Sequence, residues 1–273
     1  MIDFKEANVK YLDGLYEEAA AMYLAGAEEG CPICACNYGY CLYRGIGVSR
    51  DLRRAASFFN YASEKVGEAC YNLASMYIDG LGVGKNYKKA FSYMHKAATM
   101  GVIEAQLFVG VAYVMGTVFE PEVVLINMIP FHTAEQRDQA PLLDGDISLE
   151  DFERDDDART LAVRQDEHAA FEWFRQSARH SPDYCEDMVR KGKYLHARCY
   201  IDGLGVDFNL QMGNTLMLDA AVSGSTEALE YLQTRAPYVL DSVKDPLKLA
   251  KLSVTAGRLS AGAGSVGDEP SFE

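Results

Sequence analysis

The amino-acid sequence predicts an all-α protein, a solenoid of about five helix-pair repeats followed by a C-terminal capping segment. Two observations support this prediction. A Gly-x-Gly-Val tetrapeptide occurs at three places, and small and aromatic residues recur at fixed distances on both sides of it. The copies are Gly45-Ile46-Gly47-Val48, Gly80-Leu81-Gly82-Val83 and Gly203-Leu204-Gly205-Val206, and the first two begin 35 positions apart. A period of this length is typical of proteins built from stacked repeats.

The tetrapeptide is interpreted as the turn between the two helices of each pair. Its first glycine can adopt the left-handed conformation that ends a helix, and its second allows a close turn. An Asp or Asn six residues after the leading glycine can cap the next helix by accepting from free N–H groups. A small residue four positions later lets that helix pack closely on its neighbour. The capping residues are Asp51, Asn86 and Asn209, and the small residues are Ala55, Ala90 and Gly213.

The segments that flank each turn have helical spacing. The upstream helix repeats an Ala-x-x-x-Leu pattern at Ala69–Leu73, and Ala105–Val109 has the same spacing. The downstream helix repeats a large residue four positions before an Ala-Ala or Ser-Ala pair, at Tyr93, Trp173 and Leu216. Small residues at close contacts, with one large residue per gap, are what stacked helix pairs require.

The combined pattern, from Ala69 to Gly101 and again from Ala105, resembles the Sel1-like repeat. The resemblance covers roughly residues 31–224, and residues 1–30 fit a shorter pair with a tight turn at Asp13-Gly14. It implies a right-handed α/α superhelix related to tetratricopeptide arrays. It also implies a non-catalytic scaffold or adaptor that binds a protein or peptide partner, rather than an enzyme.

The pattern also predicts how the chain is divided. We expect a single repeat domain over residues 1–259 and a disordered tail at 260–273, which is small, Gly-rich and acidic. The repeat units lie near residues 1–30, 31–67, 68–101, 102–181 and 182–224, with a partial unit at 225–259. In the fourth unit an insertion at residues 120–163 interrupts the turn, since Gly116 stands 54 residues before Ala170 instead of ten. A capping helix is expected near residues 246–256, after Asp245-Pro246.

The open side of the first helices is the predicted partner-binding surface. Counted from the first-helix alanine, positions 3, 6 and 10 point away from the stack. In Sel1-like repeat proteins this side lines the concave groove. The residues assigned to partner binding are Asn37, Tyr40, Arg44, Asn72, Ser75, Phe108, Val111, Met115 and Arg198.

One set of these residues, Phe108, Val111 and Met115, is entirely apolar. The insertion contains an apolar run at residues 123–131, followed by an acidic stretch. An apolar run of this length is rarely left in water. We therefore expect residues 123–131 to cover the apolar set and partly fill the groove. The rival interpretation is that these apolar surfaces are themselves the partner site.

Composition narrows the classes of partner and the compartment. The net charge of −14 argues against nucleic acid, because an acidic chain repels phosphate backbones. A basic or neutral protein surface fits better, although the acidity could serve solubility alone. No stretch approaches the roughly 18 apolar residues of a membrane helix, and no export signal precedes the repeats. With seven cysteines, an odd number, we expect reduced thiols and a cytoplasmic location.

The cysteines Cys31, Cys34, Cys36 and Cys41 form the main alternative to a pure scaffold. A metal- or thiol-dependent protein could use this cluster, but a zinc site needs four converging ligands and no second pair stands nearby. Small packing residues are the favoured interpretation. A further alternative is a structural subunit that binds copies of itself. We predict no catalytic residue, metal or cofactor, because the five histidines are scattered and no nucleophile motif is present.

Overall fold

The computed structural model of the protein describes residues 4–118, 161–181 and 185–263, and their regular structure is almost entirely helical. The chain divides into two compact units, Met1–Asp166 and Glu167–Glu273. Unit 1 contains α1 (Phe4–Leu12), α2 (Tyr16–Glu28), α3 (Pro32–Arg44), α4 (Leu52–Ala62), α5 (Gly67–Asp79), α6 (Tyr87–Thr99), α7 (Ile103–Met115), β1 (Thr117–Val118) and β2 (Leu161–Ala162). Unit 2 contains α8 (Glu167–Ser177), α9 (Glu186–Asp202), α10 (Leu210–Val222), α11 (Thr226–Arg235), α12 (Pro237–Asp241) and α13 (Pro246–Ala263).

Within each unit, helices that follow one another in the chain pack against one another. The core of unit 1 combines alanines of zero exposure with large side chains such as Tyr23, Phe59 and Leu73. The core of unit 2 repeats the arrangement with Met217 and Leu232 among alanines. Bare helix surfaces at the alanines allow close approach, and the large residues fill the gaps between helices. The predicted all-α solenoid of helix pairs is confirmed.

The turns have the predicted geometry. Gly45, Gly80, Gly116 and Gly203 each end a helix with φ between 71° and 73°, and each N–H donates to the carbonyl four residues earlier. The capping residues accept as expected: Asp51 Oδ1 lies 3.0 Å from the N of Arg54, and Asn86 and Asn209 each lie 2.9 Å from their donors.

The second glycine of each turn forms the contact with the preceding repeat. A Cβ on Gly47 would lie 2.1 Å from the carbonyl oxygen of Tyr16, the first residue of α2. On Gly82 it would lie 2.3 Å from that of Leu52, the first residue of α4, and on Gly205 it would lie 1.9 Å from that of Glu167, the first residue of α8. The glycine is therefore required for two reasons, a positive φ and a backbone-to-backbone contact.

The fourth turn shows how the insertion is joined to the repeat. Strands β1 and β2 pair antiparallel, with Thr117 opposite Ala162 and Val118 opposite Leu161, so the two ends of the insertion lie side by side. Val163 donates to the carbonyl oxygen of Gly116 at 2.9 Å and is buried. It precedes Asp166 by three residues, as Val48 precedes Asp51. The prediction that the insertion extends to residue 163 is therefore wrong at its far end, because Val163 is the valine of the turn.

The C-terminal end of unit 2 is closed by α13. This helix begins at Pro246, where Asp245 Oδ1 accepts from the N of Leu247 at 2.9 Å. The buried Thr255 donates to the carbonyl oxygen of Ala221 on α10 at 3.1 Å. The helix continues to Ala263, so the expectation of disorder is wrong for residues 260–263, where alanines favour a helix. Residues 264–273 of the predicted tail lie outside the described residues.

Candidate functional site

The structure buries three of the polar residues that were predicted to face the solvent in unit 1. Asn37, Asn72 and Ser75 are 3%, 0% and 2% exposed, so the expectation that they point into open solvent is wrong. The first helices of neighbouring repeats approach closely enough to enclose short side chains: Asn37 Nδ2 donates to Oδ1 of Asn8 on α1 at 3.1 Å. These three residues stabilise the stack, and their assignment to partner binding stays a prediction.

The other predicted residues of unit 1 differ in exposure. Arg44 at the end of α3 is exposed and Tyr40 is half-buried. In the apolar set on α7, Phe108 is buried, Val111 is half-buried and Met115 is 51% exposed. Residues 123–131, which we expect to cover this set, lie outside the described residues. A partner can therefore reach Arg44 and Met115 directly, whereas Phe108 is enclosed.

Unit 2 contains a concave surface on the predicted face. A cavity of ≈540 Å³ lies between α9 and α11, and Arg198, which was predicted from the sequence, lines it. We call it the α9/α11 cavity. The remaining lining residues are Tyr194, Asp202, Glu227, Glu230, Tyr231, Thr234 and Arg235. Two aromatic rings, two cations and three carboxylates thus surround one opening.

Arg198 is held in a fixed position inside this cavity. Its guanidinium donates to Asp202 Oδ2 through Nε at 2.8 Å and forms an ion pair with the same oxygen through Nη2 at 2.7 Å. A third bond from Nη1 reaches the hydroxyl of Tyr194 at 3.0 Å, and the guanidinium carbon lies 5.9 Å from the centre of that ring. Residues 194, 198 and 202 are four apart on α9, so one helical face presents them together.

The opposite wall of the cavity was not identified from the sequence. Glu227, Glu230, Tyr231 and Thr234 lie on one face of α11, because their spacings of three and four residues match the helical repeat. Burial raises the pKa of Tyr231 above its usual value. Its hydroxyl is a hydrogen-bond donor at neutral pH, as an ordinary tyrosine hydroxyl is. The periodic polar stripe on α11 was the available signal, and it was missed because no residue of the partial repeat at 225–259 had been assigned to partner binding.

The cysteine cluster is packed as structural residues. Cys34, Cys36 and Cys41 have zero exposure, and burial raises the pKa of Cys41 to about 12. Cys31 precedes α3 and its Sγ accepts from the N of Cys34 at 3.4 Å, in the manner of an N-cap. Over residues 4–118, 161–181 and 185–263, no three His, Cys, Asp or Glu side chains converge to form a metal site. In the same residues, no helix is both long enough and apolar enough to cross a membrane.

Comparison with known proteins gives the same repeat. A family model described as Sel1 repeat matches residues 32–65, 67–102 and 160–182. The last match begins where the chain re-enters the interrupted turn. The chain is 33% identical to Protein sel-1 homolog 2 of Homo sapiens over 88 residues. The aligned residues make up 32% of this chain and 13% of the human protein. The chain therefore spans a small part of that relative.

Two solved structures share the fold. A Sel1 repeat protein from Oxalobacter formigenes superposes with a TM-score of 0.63 at 18% identity, over 98% of this chain and 93% of the other. The second is c5321, described as a protective antigen present in uropathogenic Escherichia coli strains displaying an SLR fold. It superposes with a TM-score of 0.61 at 20% identity, over 94% of this chain and 47% of that one. The repeat motif, the turn geometry and these matches agree that the chain contains Sel1 repeats, at residues 32–65, 67–102 and 160–182.

Proposed function

We propose that this protein is a non-catalytic adaptor that binds a segment of a partner protein in the α9/α11 cavity. The observation that supports this proposal is the set of fixed polar and aromatic groups around one opening on the first-helix face. Sel1 repeat proteins are generally protein-interaction scaffolds, and their fold is typically non-catalytic. The cavity lies between α9 of the fifth repeat, where the sequence had assigned Arg198 to partner binding, and α11 of the partial repeat that follows.

The chemistry of the cavity favours a peptide over a small apolar ligand. Arg198 and Arg235 can bind carboxylates or backbone carbonyls, while Glu227 and Glu230 can accept from backbone N–H groups or from Lys and Arg. Tyr194 and Tyr231 provide the rigid aromatic surface that is enriched at protein interfaces. Because Arg198 is already held by Asp202 and Tyr194, little side-chain entropy is lost when a partner contacts it.

The cytoplasmic location is part of the same proposal. Cys31, Cys41, Cys70 and Cys199 are thiols in the structure, and the last three are buried in the helical core. Free thiols of this kind are typical of proteins in a reducing compartment. Labelling with a membrane-impermeant maleimide in intact and permeabilised cells, followed by detection of the half-exposed Cys31, measures the compartment. Labelling of intact cells would contradict the cytoplasmic location.

Site-specific photo-crosslinking tests the binding site. A photoreactive p-benzoylphenylalanine at Thr234 places the probe in the cavity, and the same group at Gln211 on the exposed start of α10 is the matched control. We expect a recurrent crosslink to one partner segment from position 234 and none from position 211. A synthetic peptide of that segment should then bind the unmodified protein with 1:1 stoichiometry.

Charge reversal gives the deciding comparison. Arg198→Glu places a carboxylate beside Asp202 and removes the bond to Tyr194, so peptide affinity should fall by about tenfold or more. Arg53→Glu, a change of the same type at an exposed position of α4 in unit 1, serves as the control for a general charge effect. Equal loss in both variants, or no loss in either, would show that the cavity is not the peptide site.

A further inference from the structure

A second cavity of unit 2 lies at the other end of α9 and shares no residue with the α9/α11 cavity. It has a volume of ≈330 Å³ and is bounded by the first turns of α9, the turn after α10 and one face of α13. Four of its lining side chains are cationic: Arg190, Lys193, Lys251 and Arg258. Glu186 is the one acidic side chain in the lining. In a chain with 40 acidic and 26 basic residues, this local excess of cations runs against the composition.

Some of the charges and hydrogen-bond donors of these cations have no partner among the described residues. Arg190 contacts Glu186 at 2.8 Å and Asp187 at 3.0 Å, and Lys193 contacts Asp219 at 2.9 Å. Within the described parts of the chain, Lys251 and Arg258 have no carboxylate at ion-pair distance. The Arg190 side chain is 13% exposed, and its Nε is buried with no hydrogen-bond partner among the described residues. The lining therefore holds one unused buried donor and two cations without a counter-ion.

Gly224 allows the two arginines to converge. Its φ is +100°, and a Cβ there would lie 3.0 Å from Arg258 Nη1 and 3.3 Å from Arg190 Cδ. Because Gly224 has no side chain, Arg190 and Arg258 can both lie directly against its backbone. The rest of the lining consists of three valines, Val189, Val222 and Val254, together with Ser223, Gly224 and Thr255. The cavity consequently has a cationic side and an apolar side.

We propose that this cavity binds the C-terminal residue of a partner peptide, with its carboxylate between Arg258, Arg190 and Lys251 and its apolar side chain against the valines. With the three acids that pair with Arg190 and Lys193, two of which lie outside the lining, the four cations keep a net charge of +1, which one monoanionic carboxylate neutralises and a phosphate dianion would exceed. The guanidinium group matches carboxylate geometry. A volume of ≈330 Å³ is at the small end of ligand pockets and suits one or two residues.

The minimal probe for this site is N-acetyl-L-leucine, with N-acetyl-L-leucinamide as its uncharged match. Each is titrated into the ¹⁵N-labelled full chain, and the backbone amide of Gly224 and the arginine Nε–H signals are followed by NMR. We expect saturable shifts with the acid and at least about tenfold weaker binding of the amide, because the amide cannot form charge-assisted bonds. The affinity for the acid should also fall as salt is raised.

Three variants locate the binding. Arg258→Gln should lower the affinity for N-acetyl-L-leucine about tenfold, and Lys251→Gln should lower it about threefold. Lys248→Gln, on the same helix, exposed and outside the cavity, should leave it unchanged. Circular dichroism confirms that each variant is folded.

Three results would overturn the proposal. The first is equal affinity for acid and amide, and the second is unchanged binding by Arg258→Gln. In the third, inorganic phosphate and acetate bind as tightly as N-acetyl-L-leucine, which would make the cavity a general anion site. Because the two cavities share no residue, neither these results nor Arg258→Gln bears on the α9/α11 cavity.

Discussion

Gly80 and Gly82 differ in one structural respect, and substituting each by alanine isolates the contact between consecutive repeats. Both glycines have nearly the same backbone conformation, with φ of 72° and 70°. A Cβ on Gly80 would lie 3.4 Å from Cβ of Lys85, an ordinary contact. A Cβ on Gly82 would lie 2.3 Å from the carbonyl oxygen of Leu52, inside any allowed distance.

The expected cost follows from these distances. An L-residue forced into the left-handed region costs about 1 to 2 kcal/mol, and Gly80→Ala should lose about that much free energy of unfolding. Gly82→Ala has the same strain, and its Cβ also requires a backbone shift of about 1 Å. The obstacle is main chain at the start of α4, which cannot rotate away as a side chain could. Overpacking of this kind adds about 1 to 3 kcal/mol, so the total is about 2 to 5 kcal/mol.

Urea unfolding followed by circular dichroism at 222 nm measures the difference, with the m-value recorded to detect loss of two-state behaviour. Gly84→Ala is the baseline, because Gly84 has no positive φ and no atom would lie within 4 Å of its Cβ. Its stability should stay within about 0.5 kcal/mol of the parent or rise slightly. If Gly80→Ala and Gly82→Ala are equally destabilised, the contact with Leu52 does not hold the repeats together and the reasoning fails.

Three further outcomes are expected. Asp51→Ala should lose about 1 kcal/mol of unfolding free energy in urea titration, because the N–H of Arg54 loses its cap, and Asp51→Asn should recover most of it. Burial, with a smaller contribution from nearby arginines, lowers the pKa of His196 to about 4. The unfolded chain takes up that proton first, so His196 should contribute a loss of about 1 to 2 kcal/mol as the pH falls from 6.5 towards 4. His196→Phe should reduce the total loss by that amount, as urea titration at each pH would measure, while the loss from His95, whose pKa burial also lowers to about 4, remains. Burial raises the pKa of Cys41 to about 12, so this thiol should resist iodoacetamide at pH 8 until urea unfolds the protein. Mass spectrometry of the labelled peptide measures the reaction, and labelling in the native state would contradict the burial of Cys41.

The turns could be predicted from the sequence because their causes are local. A glycine with positive φ and an Asp or Asn that caps the next helix require only neighbouring residues, and Gly45, Asp51 and Asn86 lie as expected. The second contribution of Gly82, its contact with Leu52, involves residues 30 positions apart. The second glycine of the Gly-x-Gly-Val tetrapeptide is needed for this contact, but the sequence alone does not identify the residue that it contacts.

The candidate binding surface was less predictable, because exposure depends on the distance between neighbouring helices. A helical wheel gives the direction of Asn37 and Asn72 but not how closely the next first helix approaches, and both are buried. Arg198 lines the α9/α11 cavity, since α11 leaves room there, and its assignment to partner binding stays a prediction. The strands β1 and β2 were missed because two-residue strands have no periodicity to detect.

These two strands predict that residues 119–160 can be replaced by a two-residue turn. In an antiparallel sheet, opposite residues alternate between hydrogen-bonded and non-hydrogen-bonded pairs. The N–H of Val163 donates to the carbonyl oxygen of Gly116, so these two residues form a hydrogen-bonded pair. The next hydrogen-bonded pair lies two positions along and consists of Val118 and Leu161. A two-residue hairpin loop closes on a pair of this kind, and Asn-Gly favours the matching turn.

Joining Val118 to Leu161 by Asn-Gly should therefore preserve the helical signal. It should raise the unfolding free energy by up to about 2 to 3 kcal/mol, because a loop of about 40 residues no longer has to be closed. Replacing the same residues by a Gly-Ser linker of equal length is the control for loop closure, since it removes the sequence and keeps the length. If residues 123–131 cover Phe108 and Met115, both variants will bind a hydrophobic dye more strongly than the parent. Unfolding of both variants would instead show that the replaced residues are required for the fold, and that the turn and its two strands are not sufficient to re-form the repeat.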